Sequence, residues 1–341
     1  MTAPTPRPLG PVHDPQRTPV LAAATRRQFL GMVAAAGFLA ACGSDGDDDG
    51  DGAAADTAPA GRIEVTNQFG TFEVPREPQR VIGWEGRRDL ETALALGLVP
   101  IAVGSNAFDD DQLAPFIDFD PEGVEVIEQT EPNLELIASL RPDLILTRDS
   151  NIEAFLDELR PLAPLVPVTP DGPWRTDLEG VAEALQRSDR LAEVLAVYDE
   201  KRDEIRARHA ERIDSSALAI VQYLAGDRFY ASSTEGFYLQ ANTLADLGGT
   251  QIPFIEEGGP DFENDGFSIE QVEELAAADA ILLIANEPAD RAELDASELW
   301  LRLPAVTAGR VVETDFRTNY GSVYAATAAL DLLDQVFDTL A

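Results

Sequence analysis

The chain has 341 residues, with 62 acidic and 25 basic side chains and a formal net charge of −37, which disfavours nucleic-acid binding and broad adhesion to anionic lipid. One Cys and two His, His13 and His209, leave too few soft donors for a zinc centre, and no G-x-S-x-G, phosphate-loop or G-x-G-x-x-G motif is present. The length suits two lobes of ordinary size.

In chain order, residues 1–41 read as an export signal. Thr25-Arg26-Arg27-Gln28-Phe29-Leu30 resembles a twin-arginine signal, and Phe29 to Ala41 carries no charge. As a helix that run would reach roughly 20 Å, short of the roughly 30 Å hydrocarbon core, so a permanent span is not expected. Leu39-Ala40-Ala41-Cys42 resembles a bacterial lipobox, which implies cleavage before Cys42 and a lipid on its sulfur. A lone Cys cannot form an internal disulfide, and lipid attachment gives it a purpose. Removing the signal takes away four Arg and one Asp, leaving 21 basic and 61 acidic residues, net −40. Residues 42–61 are acidic, Gly-rich and Ala-rich, without a large apolar side chain, and read as a tether.

Residues 62–187 read as an α/β lobe. Residues 62–65 and 71–74 flank a turn and predict a small hairpin. RVIGW (80–84), PIAVG (100–104), DLILT (143–147) and PLVPV (164–168) are short apolar strands. They alternate with helices such as DLETALALGL (89–98) and NLELIASL (133–140), for which Asn133 is the expected cap. Such alternation predicts a parallel sheet. Ser188 to Arg212 has no Gly or Pro, and Leu191, Val194, Leu195, Tyr198 and Ile205 form a helical stripe. One long uninterrupted helix capped by Ser188 is expected over 188–212, with His209 solvated on it. Residues 213–341 return to strands, ALAIVQYL (217–224), RFYAS (228–232), AILLIA (280–285) and GRVVETD (309–315), alternating with helices that end in SVYAATAALDLLDQVFDTL (322–340).

The halves echo each other. NLELIASLRPDLIL (133–146) and SIEQVEELAAADAILL (268–283) both run polar cap, apolar residue, Glu, amphipathic helix, Asp, apolar strand. The expected fold is therefore α/β: two Rossmann-like lobes of parallel sheet flanked by helices, bridged by one rigid helix, with a cleft between them. In parallel α/β sheets ligands sit beyond the carboxyl ends of the strands. Trp84, Glu85, Arg87, Arg88, Ser105, Asn106, Arg148, Asp149, Trp174 and Arg175 follow strands of the first half. Tyr223, Arg228, Tyr230, Asn286, Arg317 and Tyr320 do so in the second. Arg gives bidentate contacts to oxygen ligands and stacks on rings, while Trp and Tyr offer flat faces with a polar edge. The expected ligand-binding set is Trp84, Arg87, Ser105, Arg148, Trp174, Tyr223, Arg228, Tyr230, Arg317 and Tyr320.

On PQRVIGWEGRRDLETALALGLVPIAVG (78–104), NLELIASLRPDLIL, ELRPLAPLVPV (158–168), SIEQVEEL (268–275) and LWLRLPAVTAGRVVETD (299–315), the chain resembles the iron-siderophore and vitamin B12 substrate-binding lipoproteins of ABC importers. The resemblance implies a monomer, held by a lipid anchor on the outer face of the cell membrane, that carries a ferric siderophore to an ABC permease dimer with its ATPase. It also implies docking through a glutamate on each lobe, matched here by Glu135 and Glu270. The siderophore would hold the iron, so no cofactor and no protein metal ligand is expected. Cobalamin or haem would suit the same fold, and a non-transport sensor lipoprotein is a further alternative. No spacing calls for paired catalytic groups, so no enzymatic activity is expected.

Overall fold

The computed structural model describes residues 61–109, 112–147, 152–168, 172–224, 228–261 and 265–341. Cys42 and the export signal lie outside the described residues, as do Arg148 and Asp149.

The described residues begin with the expected hairpin. Arg62–Asn67 and Gly70–Pro75 pair antiparallel, from Arg62 opposite Pro75 to Asn67 opposite Gly70. Ile63 and Val65 face the core while Arg62 and Glu64 face solvent, the alternation a half-buried strand requires. The side chain of Asn67 accepts from Phe69 N–H to shape the turn and donates to the Leu165 carbonyl, which ties the hairpin to the first sheet.

That sheet has five parallel strands in the spatial order 125–127, 100–104, 81–83, 144–147, 165–167. Its first strand in sequence, Val81–Gly83, is central, and the chain later returns to place Leu144–Thr147 on its other side. The loops leaving these two neighbours run in opposite directions, the arrangement that opens a crevice at the carboxyl ends. Asn133 caps Leu134–Leu140 as expected, its side chain accepting from Leu136 N–H.

The second sheet departs from the expectation of purely parallel strands. Its order is 267–268, 228–230, 217–224, 280–285, 311–314, with 250–251 also paired to 217–224. The strands 228–230 and 267–268 run antiparallel. Leu224 and Arg228 are opposite each other, so this is a tight reversal with no room for the crossover helix a parallel pairing needs.

The long helix spans Ser188–Arg208, between the last helix of the first lobe, Trp174–Ala184, and the second lobe's first strand. It differs from expectation at both ends. Arg187 is the capping position without a side-chain cap, and the helix breaks at His209 before Ala210–Ser215 resumes. His209 is 2 % exposed rather than solvated. Its Nε2 lies 2.7 Å from Asp334 and its Nδ1 2.9 Å from Arg212, so both ring nitrogens are engaged where the helix breaks.

The final helix, Val323–Asp338, joins the lobes a second time. It packs against the second sheet, the long helix and the first-lobe helix Arg88–Ala95. Ala325, Ala326 and Ala329 on it are fully buried, small enough for close helix contact. The largest core cluster accordingly runs through both lobes, from Leu90, Val103 and Leu146 through Tyr198 and Ile205 to Ile220, Leu282 and Leu330. Each sheet's other face has a core of its own, around Ile82, Trp84 and Ile145 in the first lobe and Val221, Phe229 and Leu283 in the second.

Candidate functional site: a cleft between the lobes

The first wall of the cleft is the turn after Val81–Gly83. Asp89 is buried in the first turn of the next helix and folds this loop around itself. Its carboxylate accepts from the backbone N–H groups of Glu85, Gly86, Arg87 and Leu90, at 2.6 to 3.0 Å. Gly86 has φ +90°, and a Cβ there would overlap the Gly104 carbonyl, so the turn accepts only glycine. Gln129 braces the loop by donating from Nε2 to the Glu85 carbonyl at 2.9 Å. Burial and the neighbouring Glu85 push the Asp89 carboxyl up to about 7.

The organised turn aims Arg87 across the cleft. Its guanidinium carbon lies 4.5 Å from the centre of the Phe316 ring and 5.8 Å from that of Tyr320, both on the second lobe. Its Nε donates to the Asn106 carbonyl at 3.3 Å.

The second wall is the turn after Val311–Thr314. Here buried amides back the turn, while the partly exposed Asp315 accepts from Arg317 N–H at 2.9 Å. Gln240 Nε2 donates to Asn319 Oδ1 at 2.6 Å and to Thr318 Oγ1 at 2.8 Å, while Asn319 Nδ2 and the Tyr238 hydroxyl both donate to Gln222 Oε1. Tyr320 stacks on Phe237 with centroids 6.0 Å apart. Arg317 donates to Asp315 through Nε at 3.0 Å and through a terminal nitrogen at 2.5 Å, and that carboxylate raises its pKa. A cavity of about 550 Å³ adjoins this wall, bordered by Phe116, Asn286, Arg291, Glu313, Arg317 and Gln335.

The floor is charged and buried. Glu91 Oε2 accepts from the N–H groups of Ser322 and Ala325 at 2.8 and 2.9 Å, at the start of the final helix. Arg88 donates from Nε to the Gly321 carbonyl at 2.9 Å and from Nη1 to the Gly172 carbonyl at 3.3 Å. Burial pushes the Glu91 carboxyl up to about 7, against the pull of these N–H groups and of Arg88.

A family model described as periplasmic binding protein matches residues 87–318, from Arg87 of the first wall to Thr318 of the second. The chain belongs to the periplasmic binding protein family. Among relatives of this family member, "Probable siderophore-binding lipoprotein YfiY" of Bacillus subtilis is 27 % identical over 293 residues, covering 80 % of this chain and 87 % of that protein. "Fe(3+)-citrate-binding protein YfmC" of the same organism is 23 % identical, covering 80 % and 86 %. The fold matches Staphylococcus aureus SirA complexed with staphyloferrin B at a TM-score of 0.64, with 22 % identity over 82 % of this chain and 98 % of that one. It also matches the triscatecholate siderophore binding protein FeuA from Bacillus subtilis complexed with Ferri-Bacillibactin, at a TM-score of 0.63, with 21 % identity over 82 % and 99 %.

Within this periplasmic binding protein fold the sequence-predicted residues divide. Arg87, Arg317 and Tyr320 meet at the cleft. Ser105 is half-buried at its edge, where Oγ donates to Glu128 at 3.2 Å. Arg228 is held on the second lobe by Asp265, and the half-buried Tyr230 lies beside it on the same short strand. The three bulky residues Trp84, Trp174 and Tyr223 are core side chains with at most 1 % exposure. Trp84 packs near Phe155, Trp174 stands edge-on to Tyr198 of the long helix, and Tyr223 packs on Phe229. A position at a strand end fixes the backbone, and a large apolar side chain there turns inward as readily as outward. Arg175 stays with Trp174, paired to Asp199. Glu135 and Glu270 are both exposed, each in the first turn of its helix; the second helix, Ile269–Ala277, is 3₁₀.

Phe316, Asp89, Glu91 and Gln240 were not singled out from sequence. For Asp89 and Glu91 a signal existed: two acids lie within the short apolar run DLETALAL, whose helix Arg88–Ala95 is buried throughout. Buried acids in such a helix need partners supplied from elsewhere in the fold.

Proposed function

We propose that this chain is an extracytoplasmic solute-binding lipoprotein that captures a ferric siderophore and delivers it to an ABC permease dimer and its ATPase. The observation that carries the reading is Arg87 of one lobe lying over Phe316 and Tyr320 of the other, a flat cation–aromatic surface at facing strand ends. Such a surface suits an oxygen-rich ferric complex with planar or apolar arms. The relatives named for siderophore and ferric citrate support it. The siderophore holds the iron; among the described residues no three His, Cys, Asp or Glu cluster as metal ligands. The protein binds without catalysing a reaction and works as a monomer. Cys42 carries its lipid, which holds it at the outer face of the cell membrane.

Ligand passes onward by docking. Glu135 and Glu270, exposed on separate lobes, are the contacts to arginines of the permease. Titration with ferric catecholate, hydroxamate and citrate complexes, beside haemin and cyanocobalamin, tests the binding reading. Saturable submicromolar binding of one ferric complex, absent for its iron-free form, is the expected outcome. Binding of haemin or cyanocobalamin alone replaces the ligand class. For docking, Glu135→Ala with Glu270→Ala abolishes uptake and leaves ligand affinity unchanged; unaltered uptake rejects that role.

A further inference from the structure

The first-lobe helix Arg88–Ala95 and the second-lobe helix Val323–Asp338 meet beneath the cleft. Their contact is polar as well as apolar. The Glu91 carboxylate caps the final helix by accepting from Ser322 and Ala325, and Arg88 holds the Gly321 carbonyl one residue before that cap. Gly321 fits only because it lacks a side chain: a Cβ there would overlap Glu91 Oε1 and the Ala325 methyl. The residues on either side of this joint are the cleft walls, with Arg87 immediately before Arg88 and Tyr320 immediately before Gly321.

We propose that Glu91 is a positioning residue that sets the angle between the two lobes and so places Arg87 opposite Phe316 and Tyr320. The long helix and the apolar packing of Val323–Asp338 hold the lobes together. The Glu91 joint adds a polar attachment off the long helix's axis, and such an attachment selects one orientation among those that apolar packing allows. A hydrogen-bonded carboxylate at a helix N-terminus is also directional, since it satisfies two N–H groups that have no partner within their own helix. The proposal rests on the ligand-binding reading for its consequence, though not for its geometry.

The test measures the lobe angle directly. Spin labels are placed at the exposed positions Glu158 and Glu273, one per lobe, in the full chain carrying Cys42→Ser, Glu158→Cys and Glu273→Cys. Pulsed electron resonance then gives the distance distribution without ligand. Glu91→Leu, which removes the acceptor, is expected to widen the distribution about twofold as more than one lobe arrangement becomes populated. Glu91→Gln, which keeps an acceptor oxygen, restores most of the native width. Gly321→Ala, which wedges the joint, displaces the mean distance while the far-ultraviolet spectrum stays native. If the binding-competent arrangement falls to about a tenth of the population, affinity for a ferric complex falls about tenfold in Glu91→Leu. Distributions in Glu91→Leu and Gly321→Ala that overlay the parent's overturn the proposal. Should Glu91→Leu fail to fold, the Gly321→Ala distance decides alone. Failure of the parent to bind any ferric complex rejects the ligand reading and leaves the distance result standing.

Discussion

The two cleft walls solve one problem with different chemistry. Each must hold a tight turn at a strand end so that its side chains face the other lobe. The first lobe uses a titratable group: Asp89 gathers four backbone N–H groups within the Glu85–Leu90 turn, and Glu91 sits one helical step beyond. The second lobe's buried support is uncharged amides, with Gln240, Asn319 and Gln222 linked in a chain to Tyr238, and its only carboxylate in the turn, Asp315, is partly exposed and accepts from Arg317 N–H. Carboxylates bind N–H groups more strongly but must be desolvated and can gain a proton; amides bind less strongly and are indifferent to pH. The buried support of one wall is therefore strong and pH-sensitive, that of the other weaker and constant.

The sharpest way to break that contrast is Asp89→Ala. It strands several buried N–H groups at once, so a loss of about 3 kcal/mol or more in urea unfolding is expected. Asp89→Asn, which keeps an acceptor oxygen, is expected to lose clearly less. If the two variants unfold alike, the turn is not organised by that side chain.

Next in size is the pH response. Both carboxyls are raised to about 7, whereas their ordinary values are 3.8 for Asp89 and 4.5 for Glu91. The native state thus keeps protons that the unfolded chain has already released. Their contribution to stability is fully present below about pH 4 and is lost as pH rises towards 7, at about 1.4 kcal/mol per pH unit for each group in that window. The thermal midpoint of the protein is expected to fall between about pH 4 and 7 through these two groups, and Asp89→Asn with Glu91→Gln together should flatten that slope. An unchanged slope in the double variant contradicts the assignment.

A smaller effect is expected on the amide side. Gln240→Leu removes donors to Asn319 and Thr318 and should cost roughly 1–2 kcal/mol, with no change in pH slope. A slope change would erase the distinction between the walls. Smallest is Asp315→Ala, which releases Arg317 from a partly exposed pair and removes an exposed-edge acceptor of its backbone N–H. Such pairs contribute about 0–1 kcal/mol, so affinity for an anionic ferric complex should rise by about fivefold at most and that for a cationic one should not rise.

How far the sequence could be read depended on range. Strands such as PIAVG and AILLIA declare themselves by local apolarity, and Asn133 by its place before a helical stripe. Contacts that close the site join residues far apart: Glu91 finds its partners 231 and 234 residues later. No local period encodes such a meeting. Arg87, Arg317 and Tyr320 were reachable because strand ends mark the cleft in any parallel sheet. Trp84, Trp174 and Tyr223 satisfied the same rule and went into the core, since the rule locates a backbone and says nothing of which way a side chain turns. The break at His209 was hidden for a related reason: its two ring partners include Asp334, 125 residues away on the final helix.

The final helix also has a consequence for how the chain is made. Arg88–Ala95 is a buried helix bearing an acid whose hydrogen-bond donors are synthesised 231 and 234 residues after it. An emerging first lobe would have to hold Glu91 without them, next to apolar surface meant for Val323–Asp338. The buried carboxyl of the first lobe is satisfied only once Ser322 and Ala325 have been made. A chain cut short before Ser322 would lose more than the helix Val323–Asp338, because the half made earlier takes two hydrogen-bond donors from that later segment.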